Sequence, residues 1–228
     1  MDNNVNTQKF QDKKKPKNPI KFNIVLNEEQ KDAKKHILDN TITILKGMAG
    51  SGKSMVAAQV ALDLLFKKEI EKIVITRPTV TSGEDVGFLP GGIDDKLAPF
   101  TAPVYDNMYR IYNKEKIDKC LQEGLIEVIP LAFMRGRNLS NCCVIVDEAQ
   151  NITHRQMELL LGRLCNGSKM IICGDIAQID LKDKKSSGFD FICKHLKDVP
   201  GFEVYTLKTN HRHPIVENIV TIYQEYRD

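Results

Sequence analysis

Apolar positions along this chain fall in short, dense runs separated by longer stretches of mixed character. Ile42 to Leu45, Lys72 to Thr76, Leu125 to Ile129, Cys142 to Val146, Met170 to Cys173 and Glu203 to Leu207 are brief and rich in β-branched residues, which predicts strands. Several of these runs are apolar at successive positions, so both faces need cover, the habit of strands in parallel sheets. Helices are predicted over Met55 to Phe66, Asp94 to Asn113, Thr153 to Leu164, Phe189 to Leu196 and Ile215 to Tyr226. The first is apolar at nearly every position and must be covered on most sides. Asn27-Glu-Glu-Gln30 reads as one more helix start, with Asn27 as cap and Gln30 able to reach back. Strands alternating with helices predict a three-layer α/β architecture with a largely parallel central sheet flanked by helices.

The first residues break this pattern. Met1 to Lys21 carries six lysines against two aspartates, a balance of +4, with Pro16 and Pro19 and no periodicity. We read residues 1–22 as a basic, disordered tail and residues 23–228 as one domain. Because the whole chain carries +3, the remaining 207 residues sum to −1. Nucleic acid is therefore allowed but not indicated by charge. An apolar fraction of 42% is that of a globular chain, and no apolar run approaches the roughly 20 residues needed to span a bilayer. The polar N-terminus lacks the apolar core of a secretory leader. The six cysteines form no C-x-x-C pair and fall mostly in apolar segments, as buried reduced thiols do. These features point to the cytoplasm.

One run carries the strongest chemical signal. Gly47, Met48, Ala49, Gly50, Ser51, Gly52, Lys53 and Ser54 fit G-x-x-x-x-G-K-[ST], preceded by a predicted strand and followed by a predicted helix. Main-chain N–H groups of a glycine-rich turn and a helix N-terminus form an anion cradle. Lys53 then supplies charge to the β- and γ-phosphates of ATP, and Ser54 offers its hydroxyl to Mg²⁺. Gly47 and Gly52 are expected where a Cβ would collide.

Val144-Ile-Val146 ends in Asp147 and Glu148. Ligands of parallel sheets sit at the carboxyl ends of strands, the edge that bears the phosphate loop. Asp147 is thus placed to hold Mg²⁺, and Glu148 to take a proton from an attacking water. After the next strand, Gln178 can touch a γ-phosphate and orient water, whereas Asp175 can simply stabilise its turn. A guanidinium is expected to meet the charge of phosphoryl transfer; Arg77, Arg135, Arg137, Arg163 and Arg212 are candidates, Arg212 favoured by its place between the last strand and a helix. His211 and His213 lack a third ligand nearby, so local hydrogen bonding accounts for them better than metal. Gln30 is a candidate reader of the adenine edge as well as a capping residue.

The motifs taken together resemble the PhoH-like family of bacterial and phage ATPases, whose RecA-like P-loop core is similar to that of superfamily 1 helicases. The resemblance runs from about Leu26 to Tyr226. It rests on Gly47–Ser54, Ile75-Thr-Arg-Pro78, Gly87-Phe-Leu-Pro-Gly91, Tyr105-Asp-Asn-Met108, Met134-Arg-Gly-Arg137, Asp147-Glu-Ala-Gln-Asn151, Gly174-Asp-Ile-Ala-Gln178 and Arg212-His-Pro214. It implies ATP binding, the roles already given to Lys53, Ser54, Asp147, Glu148 and Gln178, and RNA helicase activity as ascribed to some members. The nuclease domain fused to some relatives is not carried over, since the length and a second acidic cluster are lacking.

Three functions follow from this reading. The first is an ATPase coupled to RNA or single-stranded DNA; a motor needs two lobes, so one-lobed chains are expected to associate, as a homo-oligomeric ring such as the hexamer described for relatives, with an arginine delivered in trans. The second is a nucleotide-dependent switch or scaffold with little turnover, disfavoured by Glu148. A small-molecule kinase ranks last, because no cluster of arginines marks a closing segment.

Overall fold

Every predicted strand forms, and all of them pair in one sheet. The computed structural model describes residues 20–78 and 93–226. In chain order the elements are α1 (Glu28–Asp39), β1 (Ile42–Gly47), α2 (Lys53–Phe66), β2 (Lys72–Thr76), α3 (Ile93–Ile111), α4 (Lys114–Gln122), β3 (Ile126–Val128), β4 (Cys142–Val146), α5 (His154–Leu161), β5 (Lys169–Gly174), α6 (Gly188–His195), β6 (Phe202–Leu207) and α7 (Pro214–Glu225). Most of the expected tail and the run Gly87–Gly91 lie outside the described residues. Among those described, no helix is long and apolar enough to cross a membrane.

The strand order is β3-β2-β4-β5-β1-β6, and every pairing is parallel. Alternation along the strands divides the core in two. Ile73, Cys143, Ile145, Ile171 and Cys173 face α1, α2, α3 and α4, while Val74, Val144, Val146, Met170 and Ile172 face α5 and α6. With both faces covered, β4 is buried along its whole length. α2 is buried without a break from Val56 to Leu65, as its apolar run predicts.

Departures from the expected elements are local. Asn113, expected to close one long helix, instead caps a new one: its side chain accepts from Lys116 N at 3.0 Å and opens α4. α5 stops at Leu161, three residues before the expected end. At the far end of α1, the Lys169 ammonium donates to the carbonyls of Ile37, Leu38 and Asn40 at 3.2, 2.8 and 2.7 Å. It closes groups that a helix C-terminus leaves open. Four of the six thiols are buried; Cys165 is exposed and Cys193 half-buried.

α2 carries a carboxylate in its buried run. Asp63, its side chain 8% exposed, accepts from Lys34 at 2.6 Å and Lys67 at 3.0 Å. Burial alone pushes this carboxyl up, but the two ammonium groups outweigh it and hold the pKa below the ordinary 3.8. The stabilisation is therefore complete above that ordinary value and is lost as pH falls through the lower, folded one. Asp63→Asn is expected to cost about 1–2 kcal/mol at neutral pH, given that both lysines are partly exposed. Urea unfolding at pH 7 and pH 3 should show the deficit shrinking in acid, and an equal deficit at both excludes the ion pairs as its source.

Candidate functional site

The phosphate loop leaves β1 at Gly47, where an added Cβ would stand 2.6 Å from the main-chain oxygen of Leu207 on β6. Glycine at 47 is thus required by close approach of two strands. The bends come later, at Gly50 and Gly52, with φ of +89° and +86°. Side chains there would also collide, at Gly50 with Cγ of Arg212 (2.6 Å) and at Gly52 with Nε2 of Gln30 (2.7 Å). Gly52 precedes α2 with no side-chain cap, so the first N–H groups of the helix stay available to an anion.

Within the loop the charges are already engaged. Lys53 Nζ donates to the carbonyls of Gly47 at 2.7 Å and Met48 at 2.9 Å. Ser54 Oγ donates to Asp147 Oδ1 at 2.7 Å, bringing together two residues 93 positions apart. A hydroxyl and a carboxylate in contact are oxygen donors of the kind that suit Mg²⁺, so the residues expected to hold the metal fit it.

Glu148 follows Asp147 in a left-handed conformation, φ +52°, uncommon for a side-chain-bearing residue. Its Oε2 accepts from Gln150 Nε2 at 2.8 Å. Gln150, 1% exposed, accepts with Oε1 from the main-chain N–H of Asp175 at 3.2 Å. Asp175 in turn accepts from Ala177 N at 3.0 Å, the turn-closing role expected, and also from Ala49 N of the phosphate loop at 3.0 Å. The second contact ties this turn to the phosphate loop, 126 positions away in the chain.

At the other end, Gln30 forms the expected capping box, accepting from Asn27 N at 3.1 Å while its own N–H donates to Asn27 at 2.8 Å. Its Nε2 also lies 3.2 Å from His211 Nε2. The His211 ring is therefore held by a residue 181 positions away rather than by local hydrogen bonding, and the His211 main-chain N–H donates to Gly50 O at 3.1 Å. His213 does bond locally, accepting from Ile215 N at 3.3 Å.

A cavity of about 650 Å³ joins these parts, lined by Gln30, Ala49, Gly50, Gly52, Lys53, Ser54, Asp147, Glu148, Gln178 and Arg212 among others. Of the expected loop residues, Gly47, Met48 and Ser51 do not line it. Arg212 is the arginine of the five candidates that reaches the cavity; Arg137 instead pairs with Glu127 at 3.0 Å. Asn107 and Arg110 of α3, Gln150, Asp175 and His211 also line it. Of these, Asn107, Gln150 and Asp175 lie inside motifs that the sequence displays. Nothing in the local pattern around Arg110 marks it.

A family model described as PhoH-like protein matches residues 24–224. The PhoH-like protein of Synechocystis sp. is 45% identical over 192 residues, covering 83% of this chain and 58% of its own length. That of Bacillus subtilis is 41% identical, covering 78% and 57%, and Protein PhoH of Escherichia coli is 41% identical, covering 71% and 46%. The chain thus spans about half the length of these relatives. Among solved structures, the large terminase from a thermophilic bacteriophage covers 87% of the chain and 50% of its own at a TM-score of 0.55 and 9% identity. Pif1 helicase from Candida albicans covers 90% and 44% at 0.47 and 19%. At such identity the terminase speaks to the fold alone. Taken with the family match over nearly all described residues, the strand–loop–helix around Lys53 makes this a P-loop NTPase, and the chain belongs to the PhoH-like protein family.

Proposed function

We propose that the chain binds ATP with Mg²⁺ and hydrolyses it, and that turnover is coupled to RNA or single-stranded DNA. The observation that carries hydrolysis is the meeting, at one cavity, of Lys53, the Ser54–Asp147 pair and the carboxylate of Glu148. Phosphate oxygens take the N–H groups of the loop and of the first turn of α2. Lys53 leaves the Gly47 and Met48 carbonyls to reach them. Ser54 and Asp147 hold Mg²⁺, which when bound offsets charge on the β- and γ-phosphates. Glu148 takes the proton from a water whose oxygen bonds to the γ-phosphorus as the bond to the bridging oxygen breaks, leaving ADP and phosphate. Gln178 is suited to orient that water.

Arg212 supports an arginine acting in cis, because its side chain packs over the Gly50 of its own chain. The homo-oligomeric ring then rests on the need for a second lobe rather than on a trans arginine, and sedimentation with and without ATP tests association directly. At the base end, Gln30 offers the adenine edge the amide hydrogen not directed at His211.

Lys53→Ala is expected to weaken nucleotide binding by roughly 10- to 100-fold in equilibrium titration, the worth of a charged hydrogen bond; unchanged affinity counts against the loop as the triphosphate site. Glu148→Gln should keep binding within about threefold yet lower kcat by about 10²–10⁴. A variant that hydrolyses at the native rate removes Glu148 as the base. Single-stranded RNA or DNA should accelerate steady-state turnover, and indifference to both leaves an ATPase without that coupling.

A further inference from the structure

In the order β4-β5-β1, β5 lies between the strand that ends at the acidic pair and the strand that opens the phosphate loop. The first residue beyond β5 must therefore stand between the two halves of the site. That residue is Asp175, 8% exposed, with Oδ2 on the Ala49 N–H of the loop. We propose that Asp175 is a built-in occupant of the phosphate loop, and that its displacement by nucleotide is passed through Gln150 to the carboxylate of Glu148. This rests on the reading of the cavity as an ATP site.

Several of the loop's own groups are satisfied by protein partners. One of its amides holds the Asp175 carboxylate, and Lys53 is turned onto loop carbonyls. An arriving triphosphate brings negative charge to the same wall of the cavity, where like charges in a partly buried site repel strongly. The carboxylate must yield, and it has somewhere to go, since Oδ1 remains on Ala177 N.

The second half of the path is an amide with no slack. Gln150 accepts from the Asp175 main chain with one end and donates to Glu148 with the other, and at 1% exposure it has no bulk water to fall back on. Its own carbonyl is held by Ser187 Oγ at 2.8 Å. The group that Gln150 holds is the Asp175 main-chain N–H, so a pivot of the carboxylate that turns this backbone either carries the amide along or breaks one of its bonds, and in both cases the Glu148 carboxylate is re-aimed. Gln150 is in this sense a positioning residue for Glu148, and Asp175 reports whether the loop is filled.

The test is calorimetric titration with Mg²⁺ and a nonhydrolysable ATP analogue. If the native protein does not bind the analogue at all, it is the ATP site that fails. If it binds, Asp175→Asn, which keeps an oxygen for Ala177 N–H and lacks the charge, should bind about fivefold tighter. Equal or weaker binding overturns the inference. Should that variant not fold by thermal melting, Asp175→Ser tests the same loss of charge. The relay is read from a cycle in analogue affinity: Asp175→Asn and Glu148→Gln should be non-additive when Gln150 is present and additive in Gln150→Leu. Additivity in both backgrounds refutes the path, whether or not the protein turns over ATP. In turnover, Gln150→Leu should lower kcat at least about tenfold with the analogue Kd within about threefold; an unchanged kcat rejects Gln150 as a positioning residue.

Discussion

All six strands run the same way, and this single constraint brings the polar chemistry of the molecule to one edge. Parallel pairing gives neighbouring strands a common direction, so the residues after Gly47, Val146 and Gly174 emerge side by side although they lie far apart in sequence. Two apolar cores clamp the sheet from either face and leave the strands little freedom to shift. The hydrogen bond from Ser54 to Asp147 joins the first turn of α2 to the residue after β4 at this edge.

Convergence of this kind carries an electrostatic cost that the site meets internally. Charged groups at the edge have partners of matching chemistry: Lys53 on loop carbonyls, Asp175 on loop and turn amides, Glu148 on the amide of Gln150. The glycines serve the same closeness. Gly174 lies beneath the ring of buried Phe189, whose nearest atom is 2.6 Å from the position a Cβ would take, so α6 presses directly on the turn that carries Asp175. Gly52 similarly leaves room for Gln30, which ties the beginning of the fold to the segment after β6.

How much of this was legible depends on whether the signal was contiguous. The phosphate loop and the Asp147–Glu148 pair are read from neighbouring residues, and the sheet from the density of apolar runs; both kinds of signal survive without tertiary information. α4 was missed because its polar sequence shows few apolar positions, and one residue, Asn113, both ends a loop and opens the helix. The Gln30–His211 contact joins positions 181 apart, which no local pattern encodes. Which of five arginines reaches the cavity was likewise a question of where the chain returns after β6. The turn role of Asp175 is visible in the sequence, but the use of its second oxygen depends on strand order, and that order is set by packing.

The thiols have a practical corollary. Burial pushes Cys143 up to about 12, Cys193 up to about 11 and Cys173 well above the ordinary thiol range, so these groups present almost no thiolate near neutrality. Cys165 is exposed and sits ahead of β5, at the end of the sheet away from the cavity. A maleimide dye therefore finds one ready attachment point in the native protein, far from the nucleotide loop, and a fluorophore there can follow tumbling or association without any engineered residue.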